Sequence, residues 1–294
     1  MSFRHFSATA LLAMLLPPTG PMTLQHLSPA NLEPVGRQLR VDWSPYSFHA
    51  LTSSDGSIVV QTRTAVDVVD DASLRVTGSY PLQRRDVCAV GRDGTTVVAL
   101  VGCSASSHPH YAVIRLGPGS RRTVPVRGVV ARIAYPVSVA FGDGQVFVVH
   151  AQGSTDAIDL ETGKLTPHRP LRTLAKGEGY TQSAWLGDHL LGLGGTVVDV
   201  RTWKRHVLAA HADRTLASGD KLATIGTDGV AVFNRDFTLY RKLLGGQSID
   251  DAAISGSVLY ARVGLVWHVV DLRTGHQIGR YVLDDALNTW LLPA

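Results

Sequence analysis

Short apolar runs and polar turns alternate along the chain, and no long helical pattern interrupts them. The runs include IVV, TVVALV, VFVVHA, TVVDV, VAVF and VLYARVGLVWHVV. They are continuous rather than alternating, rich in β-branched residues and too short for core helices. A continuous apolar run is typical of a strand that is covered on both faces. The pattern therefore predicts an all-β protein with many buried short strands.

These runs belong to a repeating unit. A tight turn, an apolar strand, a second turn and a strand ending in an acidic residue recur along the chain. The first turn of each unit falls near Asp55, Asp93, Asp143, Asp188, Asp220 and Ser257. A spacing near 40 residues with about four short strands per unit is typical of a β-propeller blade. We therefore predict a β-propeller with six clear four-stranded blades, which occupy residues 46–282.

The pattern also locates individual strands. For the third unit we predict strands near 137–141, 145–150, 156–160 and 164–168, and for the sixth near 249–254, 257–262, 265–271 and 276–282. Two apolar segments remain, GRQLRV at 36–41 and ALNTWLL at 286–292. Propellers commonly close by pairing strands from both chain ends, which removes an open edge. These segments either form part of a split seventh blade or brace a six-bladed ring.

One strand-and-turn motif occurs three times. It reads VVDLRTGHQI at 269–278, AIDLETGKL at 157–165 and VVDVRTWKRHVL at 197–208. The motif resembles the third-strand signature of the YVTN and quinoprotein-like (WD-repeat-like) propellers, with Trp203 in place of the usual glycine in the third copy. The expected role of its Asp and Thr is to form hydrogen bonds within the turn, before a left-handed glycine. The resemblance implies the propeller architecture and no particular activity, because this superfamily contains enzymes, binding proteins and assembly factors.

The N-terminal segment resembles a secretory signal. Arg4 and His5 precede an apolar stretch from Ala8 to Leu16, which is the right length for a signal core and too short to span a bilayer. We therefore expect residues 1–30 to be a signal-like or disordered segment and residues 31–294 to be one propeller domain. The alternative is a disordered tail or a later start at Met14 or Met22. Export implies a secreted or periplasmic protein.

The chain contains two cysteines, Cys88 and Cys103. In an exported protein a lone pair usually forms a disulfide, and we predict one here. The two residues flank a predicted hairpin with its turn at 91–94. Simple pairing across that turn places Cys88 opposite Val98, so the bridge requires a curved or bulged strand end. The alternative is two buried thiols.

The basic charge does not point to a nucleic-acid partner. The formal net charge is +4, but the basic residues form scattered pairs at 84–85, 121–122, 204–205 and 241–242. A nucleic-acid site normally concentrates them on one stripe with aromatic residues between them. We interpret the pairs as solvated loop charges. Outside the N-terminus no apolar run is long enough for a membrane helix, and we expect a monomer.

Candidate binding residues come from the propeller geometry. Propellers bind ligands at the mouth of the central channel, on the loops that lead into each innermost strand. Counting about seven residues back from each turn gives Tyr46, His49, Arg85, Asp86, Arg132, Tyr135, Glu178, Tyr180, Asp213, Arg214, Asp250 and Asp251. A polar binding rim and ordinary polar loops both fit this set.

No sequence motif identifies a reaction. His108 and His110 lie in a Ser-rich loop without an assignable third metal ligand, and the five tryptophans form no repeated column. We therefore expect no metal, no quinone and no other cofactor. Our first hypothesis is a non-enzymatic binding or scaffold protein of the cell exterior, which holds a protein, peptide or small ligand at the channel mouth. The alternative is a channel-mouth hydrolase or lyase similar to the propeller lactonases.

Overall fold

The computed structural model is a ring of β-sheets. It describes residues 11–15, 21–42, 51–54, 56–82, 86–102, 111–128, 138–150, 154–168, 182–282 and 289–291. Within these residues, twenty-eight strands form seven antiparallel sheets of four strands each, and there is no helix. The prediction of an all-β propeller is therefore confirmed, and the number of blades is seven.

The first strands along the chain belong to the blade that closes the ring, which we call blade 7. Its strands β1 to β3 span Leu11–Leu15, Met22–Leu27 and Pro34–Val41. Blade 1 contains β4 to β7, at Leu51–Ser54, Ser57–Gln61, Ala65–Asp70 and Arg75–Pro81. Blade 2 contains β8 to β11, at Val87–Asp93, Thr96–Val101, Ala112–Gly117 and Ser120–Pro125. Blade 3 contains β12 to β15, at Ser138–Gly142, Gln145–Val149, Thr155–Asp159 and Leu165–His168.

The remaining blades follow in the same order. Blade 4 contains β16 to β19, at Ser183–Trp185, Leu190–Leu193, Thr196–Asp199 and Lys204–Val207. Blade 5 contains β20 to β23, at Ala212–Ser218, Lys221–Gly226, Gly229–Asn234 and Leu239–Leu243. Blade 6 contains β24 to β27, at Asp251–Ser255, Val258–Val263, Val266–Asp271 and Gln277–Val282. The last strand, β28 at Thr289–Leu291, returns to blade 7.

The innermost strands surround the centre of the ring, and the core fills the spaces between neighbouring blades. Strands β4, β8, β12, β16, β20, β24 and β28 contact one another in succession. Leu100 of blade 2 and Phe141 of blade 3 belong to one buried cluster. The Phe147 ring of blade 3 stacks on Trp185 of blade 4, with ring centroids 5.8 Å apart. Each sheet is covered on both faces, which explains why the inner strands are continuously apolar.

The strands predicted for the third and sixth units lie within two residues of the observed ones. The two leftover segments both belong to blade 7, as the split-blade alternative predicted, but they do not pair with each other. Strand β1 lies between β28 and β2, with Met14 opposite both Trp290 and Leu24. Leu11 is 1% exposed and Ala13 is fully buried. Part of the segment that resembles a signal core is therefore a strand of the closing blade, whereas its removal as a leader stays a prediction.

The repeated motif has the hydrogen bonds that its chemistry predicts. In blade 3 the backbone N–H and the hydroxyl of Thr162 both donate to Asp159 Oδ1, each at 2.7 Å. Gly163 then has a φ of 70°, and Gly275 has a φ of 76° at the equivalent place in blade 6. In blade 4, Trp203 adopts the same left-handed conformation with a φ of 56°. The motif is therefore a structural turn that begins the outermost strand.

A fourth copy of this turn lies in blade 1, and the sequence pattern does not reveal it. The backbone N–H and hydroxyl of Ser73 donate to Asp70 Oδ1 at 2.8 and 2.6 Å, and Leu74 has a φ of 49°. These hydrogen bonds from Ser73 lower the pKa of Asp70 below its ordinary value. The backbone N–H of Arg201 has the same effect on the pKa of Asp199 in blade 4.

The predicted pairing of Cys88 is wrong. Val98 lies opposite Gly91, because the β8–β9 turn is centred on residues 94 and 95 rather than on 91–94. The register shifts between Val87 and Ala89, so Cys88 occupies an irregular strand end of the kind that the bridge requires. Cys88 is 1% exposed, and the described chain contains no free thiol. Cys103 lies outside the described residues, and its bond to Cys88 stays a prediction.

Candidate functional site

The innermost strands all begin at one end of the ring, which we call the mouth face. In an antiparallel four-stranded meander the turn between the second and third strands lies at this end as well. Five of the predicted rim residues are described and lie here, at the starts of β8, β20 and β24: Asp86, Asp213, Arg214, Asp250 and Asp251. Outside the described residues lie Tyr46, His49, Arg85, Arg132, Tyr135, Glu178 and Tyr180.

Two of the predicted rim residues hold neighbouring blades together. Asp251 of blade 6 is 1% exposed, and its Oδ1 accepts a hydrogen bond from Arg214 Nη2 of blade 5. The same Arg214 nitrogen donates to the carbonyl of Ala252 at 3.1 Å. The other carboxylate oxygen of Asp251 accepts the backbone N–H of Leu291 in blade 7 at 3.0 Å. One buried carboxylate therefore joins the inner strands of three blades.

Hydrogen bonds of the same kind continue around the mouth face. Between blades 3 and 4, the backbone N–H and the hydroxyl of Ser183 both approach Ser138 Oγ to 2.8 Å. Between blades 4 and 5, the N–H of Gln182 donates to the carbonyl of Asp213 at 3.0 Å. Polar contacts thus connect the inner-strand starts of blades 3, 4, 5 and 6 in succession and extend to the end of β28 in blade 7. We call this set the mouth belt.

The exposed groups near the mouth belt are mainly acidic. Asp213 and Asp250 are exposed, and Asp86 is partly exposed. Asp250 Oδ2 accepts the backbone N–H of Gly264 at 2.7 Å, which orients that carboxylate on the turn beside it. The described part of the mouth face therefore presents carboxylates beside the ion pair of Arg214 and Asp251.

A buried polar cluster that sequence reasoning missed lies between blades 2 and 3. His150 directly follows β13, and its Nε2 lies 2.9 Å from Asp156 Oδ2 in β14. Tyr111, at the start of β10, faces the same interface. The three side chains are 1%, 2% and 3% exposed, in the order His150, Asp156, Tyr111. The sequence signal was a histidine at the end of an apolar run and an aspartate at the start of the next strand.

This cluster leaves two polar atoms without partners. His150 Nδ1 and the Tyr111 hydroxyl are buried and make no hydrogen bond to a described residue. Burial, together with the negative charge of Asp156, raises the pKa of Tyr111 to about 12. An imidazole oriented by a carboxylate is an arrangement that general bases use. In this protein both members of the pair are buried, so the pair does not lie on the accessible surface.

The described residues contain no candidate metal site, and they line two cavities. Among the described residues there is no group of three His, Cys, Asp or Glu side chains that could hold a metal ion. His108 and His110 lie outside those residues. Two cavities of about 420 and 300 Å³ lie in the described chain, between blades 4 and 5 and between blades 1 and 2. The first is lined by His211 and Ala212, next to Asp213 of the mouth belt, and also by Lys242 of the outermost strand β23, and the second is lined by residues of blades 1 and 2.

The described chain has no helix with the length and apolarity needed to cross a membrane.

Comparisons with known proteins support the fold alone. No protein-family model and no curated protein matches this chain. Among solved structures, the computationally designed Ika8 protein is 17% identical, with a TM-score of 0.52, and the match covers 86% of this chain and 91% of that one. BamB from Moraxella catarrhalis is 16% identical, with a TM-score of 0.48, and the match covers 94% of this chain and 91% of that one. The likeness to the designed protein is one of fold alone, and the ring of seven four-stranded sheets makes this chain a β-propeller.

Proposed function

We propose that this propeller is a non-enzymatic binding or scaffold protein that works outside the cytoplasm and holds a protein, peptide or small ligand at its mouth face. The observation that carries the proposal is the mouth belt. Because hydrogen bonds connect five successive blades, the inner-strand starts that present the rim residues are held in place before a ligand arrives. A rim ordered in advance loses less conformational entropy on binding.

The rim contains both a buried ion pair and exposed carboxylates, and this difference supports the same proposal. Arg214 and Asp251 neutralise each other beneath the surface, whereas Asp213 and Asp250 stay exposed. Such a surface favours a ligand that donates hydrogen bonds or carries positive charge. Binding through exposed carboxylates on a rigid base requires no perturbed acid or base and no bound metal.

Site-specific photo-crosslinking in living cells tests the proposal. A photoreactive residue replaces Asp213 in one variant and Asp220 in the other. Both aspartates are exposed and belong to blade 5, but they lie at opposite ends of β20. We expect a discrete adduct from position 213 and none from position 220. The same adducts from both positions, or none from either, would contradict binding at the mouth face.

The location outside the cytoplasm has its own test. The proposal follows from the signal-like N-terminal sequence, and removal of that segment would take β1 out of the mature protein. Cell fractionation followed by mass spectrometry of the intact protein measures both properties. We expect the protein in the extracytoplasmic fraction. Recovery only from the cytoplasm would refute export, and an intact Met1 would refute cleavage.

The alternative function is a hydrolase or lyase, and His150 with Asp156 is the observation that favours it. The buried imidazole has one nitrogen held by a carboxylate and the other without a partner, as a general base awaiting a proton would. Turnover of a lactone panel by the wild-type protein, lost in His150→Gln, would support this reading. No turnover by the wild-type protein would exclude it for those substrates.

A further inference from the structure

The outer wall of the ring has a one-sided charge. Across the seven outermost strands, which are all described, there are ten Lys and Arg residues and no Asp or Glu. The ten are Arg37, Arg40, Arg75, Arg121, Arg122, Lys204, Arg205, Arg241, Lys242 and Arg280. Three of the four basic pairs that we interpreted as loop charges therefore lie on strands, which corrects that interpretation.

The same strands carry most of the exposed apolar side chains. Of the eight large apolar residues that are exposed in the described chain, seven lie on outermost strands. They are Val35, Val76, Val207, Leu239, Tyr240, Ile278 and Val282. Single exposed apolar side chains are normal on a protein surface, but Leu239 and Tyr240 are adjacent on β23 and lie beside the cations of the same strand.

These properties meet at a groove between β19 of blade 4 and β23 of blade 5. The cavity of about 420 Å³ lies in this groove, within the range of about 300–1,000 Å³ that is typical of ligand sites. Its lining includes Leu208 from the segment after β19, Phe233 of β22, and Leu239 and Lys242 of β23. The exposed Asp228, in the turn between β21 and β22, also lines the cavity. Leu239 is 52% exposed, so the cavity opens to the surface. We call this site the blade 4–5 groove.

Contacts beside the blade 4–5 groove determine which side chains it presents to a ligand. The stacked rings of His206 and Phe237, with centroids 4.1 Å apart, connect the two blades beside it. Arg241 donates to the carbonyls of Thr274 and Arg273 in blade 6, at 2.8 and 3.0 Å, and is directed away from the groove. Lys242 is exposed and lines the cavity, so it is the cation of β23 that faces an incoming group.

The outer edge of β23 offers main-chain hydrogen bonds as well. Among the described strands, β23 pairs with β22 alone, so its other edge is open. An open edge is a template for another strand, and cations on it oppose pairing with a second basic edge. Six of the seven outermost strands carry Lys or Arg and none carries Asp or Glu, so most edge-to-edge contacts between copies of the chain bring like charges together. An acidic strand is attracted to the same edge, so the sign of the charge selects the partner.

From these observations we propose that the blade 4–5 groove binds an acidic extended peptide segment of a partner protein. The segment adds as a fifth strand to the open edge of β23, in the manner of β-augmentation. One of its apolar side chains enters the cavity beside Leu239, and a neighbouring carboxylate pairs with Lys242. The proposed strand adds to β23, the outermost strand of blade 5, so the proposal goes beyond the mouth-face function and does not depend on it.

Fluorescence anisotropy with a defined probe tests the proposal. The probe is a short labelled peptide that alternates glutamate with leucine, and its control alternates lysine with leucine. We expect the glutamate peptide to bind and the lysine peptide not to bind. Lys242→Glu should weaken binding about tenfold or more, because it turns an attraction into a repulsion. The matched control, Arg121→Glu on β11, reverses the same charge on an outermost strand without this cavity and should change binding less than about twofold.

Two further measurements separate strand addition from simple charge attraction. Leu239→Ser should weaken the binding of the glutamate peptide, whereas Val76→Ser on β7 should not. Hydrogen exchange should show that the peptide protects backbone amides of Leu239–Leu243. Equal binding of both peptides, or unchanged binding by Lys242→Glu, would overturn the proposal.

Anionic membranes are the competing partner. If vesicles of phosphatidylcholine and phosphatidylglycerol bind the protein through Lys242 while the glutamate peptide does not bind, the groove is a lipid site and the proposal is wrong. The crosslinking experiment at Asp213 tests binding at the mouth face separately. Failure of one proposal therefore does not decide the other.

Discussion

The carboxylate of Asp251 accepts the backbone N–H of Leu291, forty residues further along the chain and in the next blade. Its other oxygen is held by Arg214 of the preceding blade. The contact therefore lies where blades 5, 6 and 7 meet, next to the strand that completes the ring. Asp251, which the sequence suggested as a ligand-binding residue, therefore holds three blades together in the structure.

Replacement of Asp251 by alanine should destabilise the protein strongly. The change removes the carboxylate that accepts hydrogen bonds from the guanidinium of Arg214 and from the backbone N–H of Leu291. Removal of one partner of a buried ion pair typically lowers the free energy of unfolding by about 3–5 kcal/mol. Urea unfolding measures this loss. The matched control is Asp220→Ala at the other end of blade 5, where the carboxylate is 83% exposed and little change in the free energy of unfolding is expected. Equal unfolding midpoints for the two variants would contradict the role of Asp251.

Loss of the Tyr111 hydroxyl should not destabilise the protein. This hydroxyl is buried and has no hydrogen-bond partner among the described residues. Tyr111→Phe therefore removes an unsatisfied group and should leave the free energy of unfolding unchanged or raise it by up to about 1 kcal/mol. Tyr260→Phe is the matched control, because the Tyr260 hydroxyl donates to the carbonyl of Pro29 at 3.3 Å. That variant should lose about 0.5–1.5 kcal/mol. Thermal unfolding of both variants measures these changes in stability. A larger loss of stability in Tyr111→Phe than in Tyr260→Phe would show that the Tyr111 hydroxyl has a partner.

The same two tyrosines predict a loss of stability in alkaline solution. Burial raises the pKa of Tyr111 and of Tyr260 to about 12, from 10 for an ordinary tyrosine. The unfolded chain therefore releases these protons at lower pH than the folded chain does. Stability is complete below pH 10 and should fall as the pH rises from about 10 to about 12. Urea midpoints measured across this range should decline less steeply in Tyr111→Phe than in the wild type. Identical slopes would argue against the raised pKa.

Two glycines with the same backbone conformation should respond differently to alanine. Gly163 and Gly56 have φ values of 70° and 69°. A Cβ on Gly163 would lie 2.2 Å from the carbonyl oxygen of Pro125, whereas a Cβ on Gly56 has nothing within 4 Å. Gly56→Ala should therefore cost about 1–2 kcal/mol for the left-handed conformation alone. Gly163→Ala should cost a further 1–3 kcal/mol, roughly, for the steric overlap with blade 2. Equal costs in chemical unfolding would mean that blade 2 moves away freely.

Blades 1 to 6 were predictable because their information is local. Each tight turn and the apolar run after it lie within a few residues of one another, so strands such as Gln145–Val149 could be located from the sequence. The Asp159 turn was predictable for the same reason, since each hydrogen bond that the Asp159 carboxylate accepts comes from a residue within three positions. Cys88 was placed wrongly because a strand register depends on the length of one turn and on a bulge.

The candidate site depends on contacts that no local pattern contains. The sequence placed Arg214 and Asp251 at the starts of inner strands, but their pairing joins two blades. His150 ends one apolar run, and Asp156 lies near the start of the next strand. Only the β13–β14 hairpin brings their side chains within hydrogen-bond distance. Leu11–Leu15 has the composition of a signal core, and its strand pairing with β28 spans nearly the whole chain.

The pairing of β1 with β28 also determines the order of events during synthesis. Strand β1 is made before the other strands of the ring, but its innermost neighbour is made after all of them. Throughout that interval one edge of a buried apolar strand has no partner, and such an edge is prone to associate with other chains. Closure of this propeller is therefore a late folding event, in which the six intervening blades bring the two distant segments together.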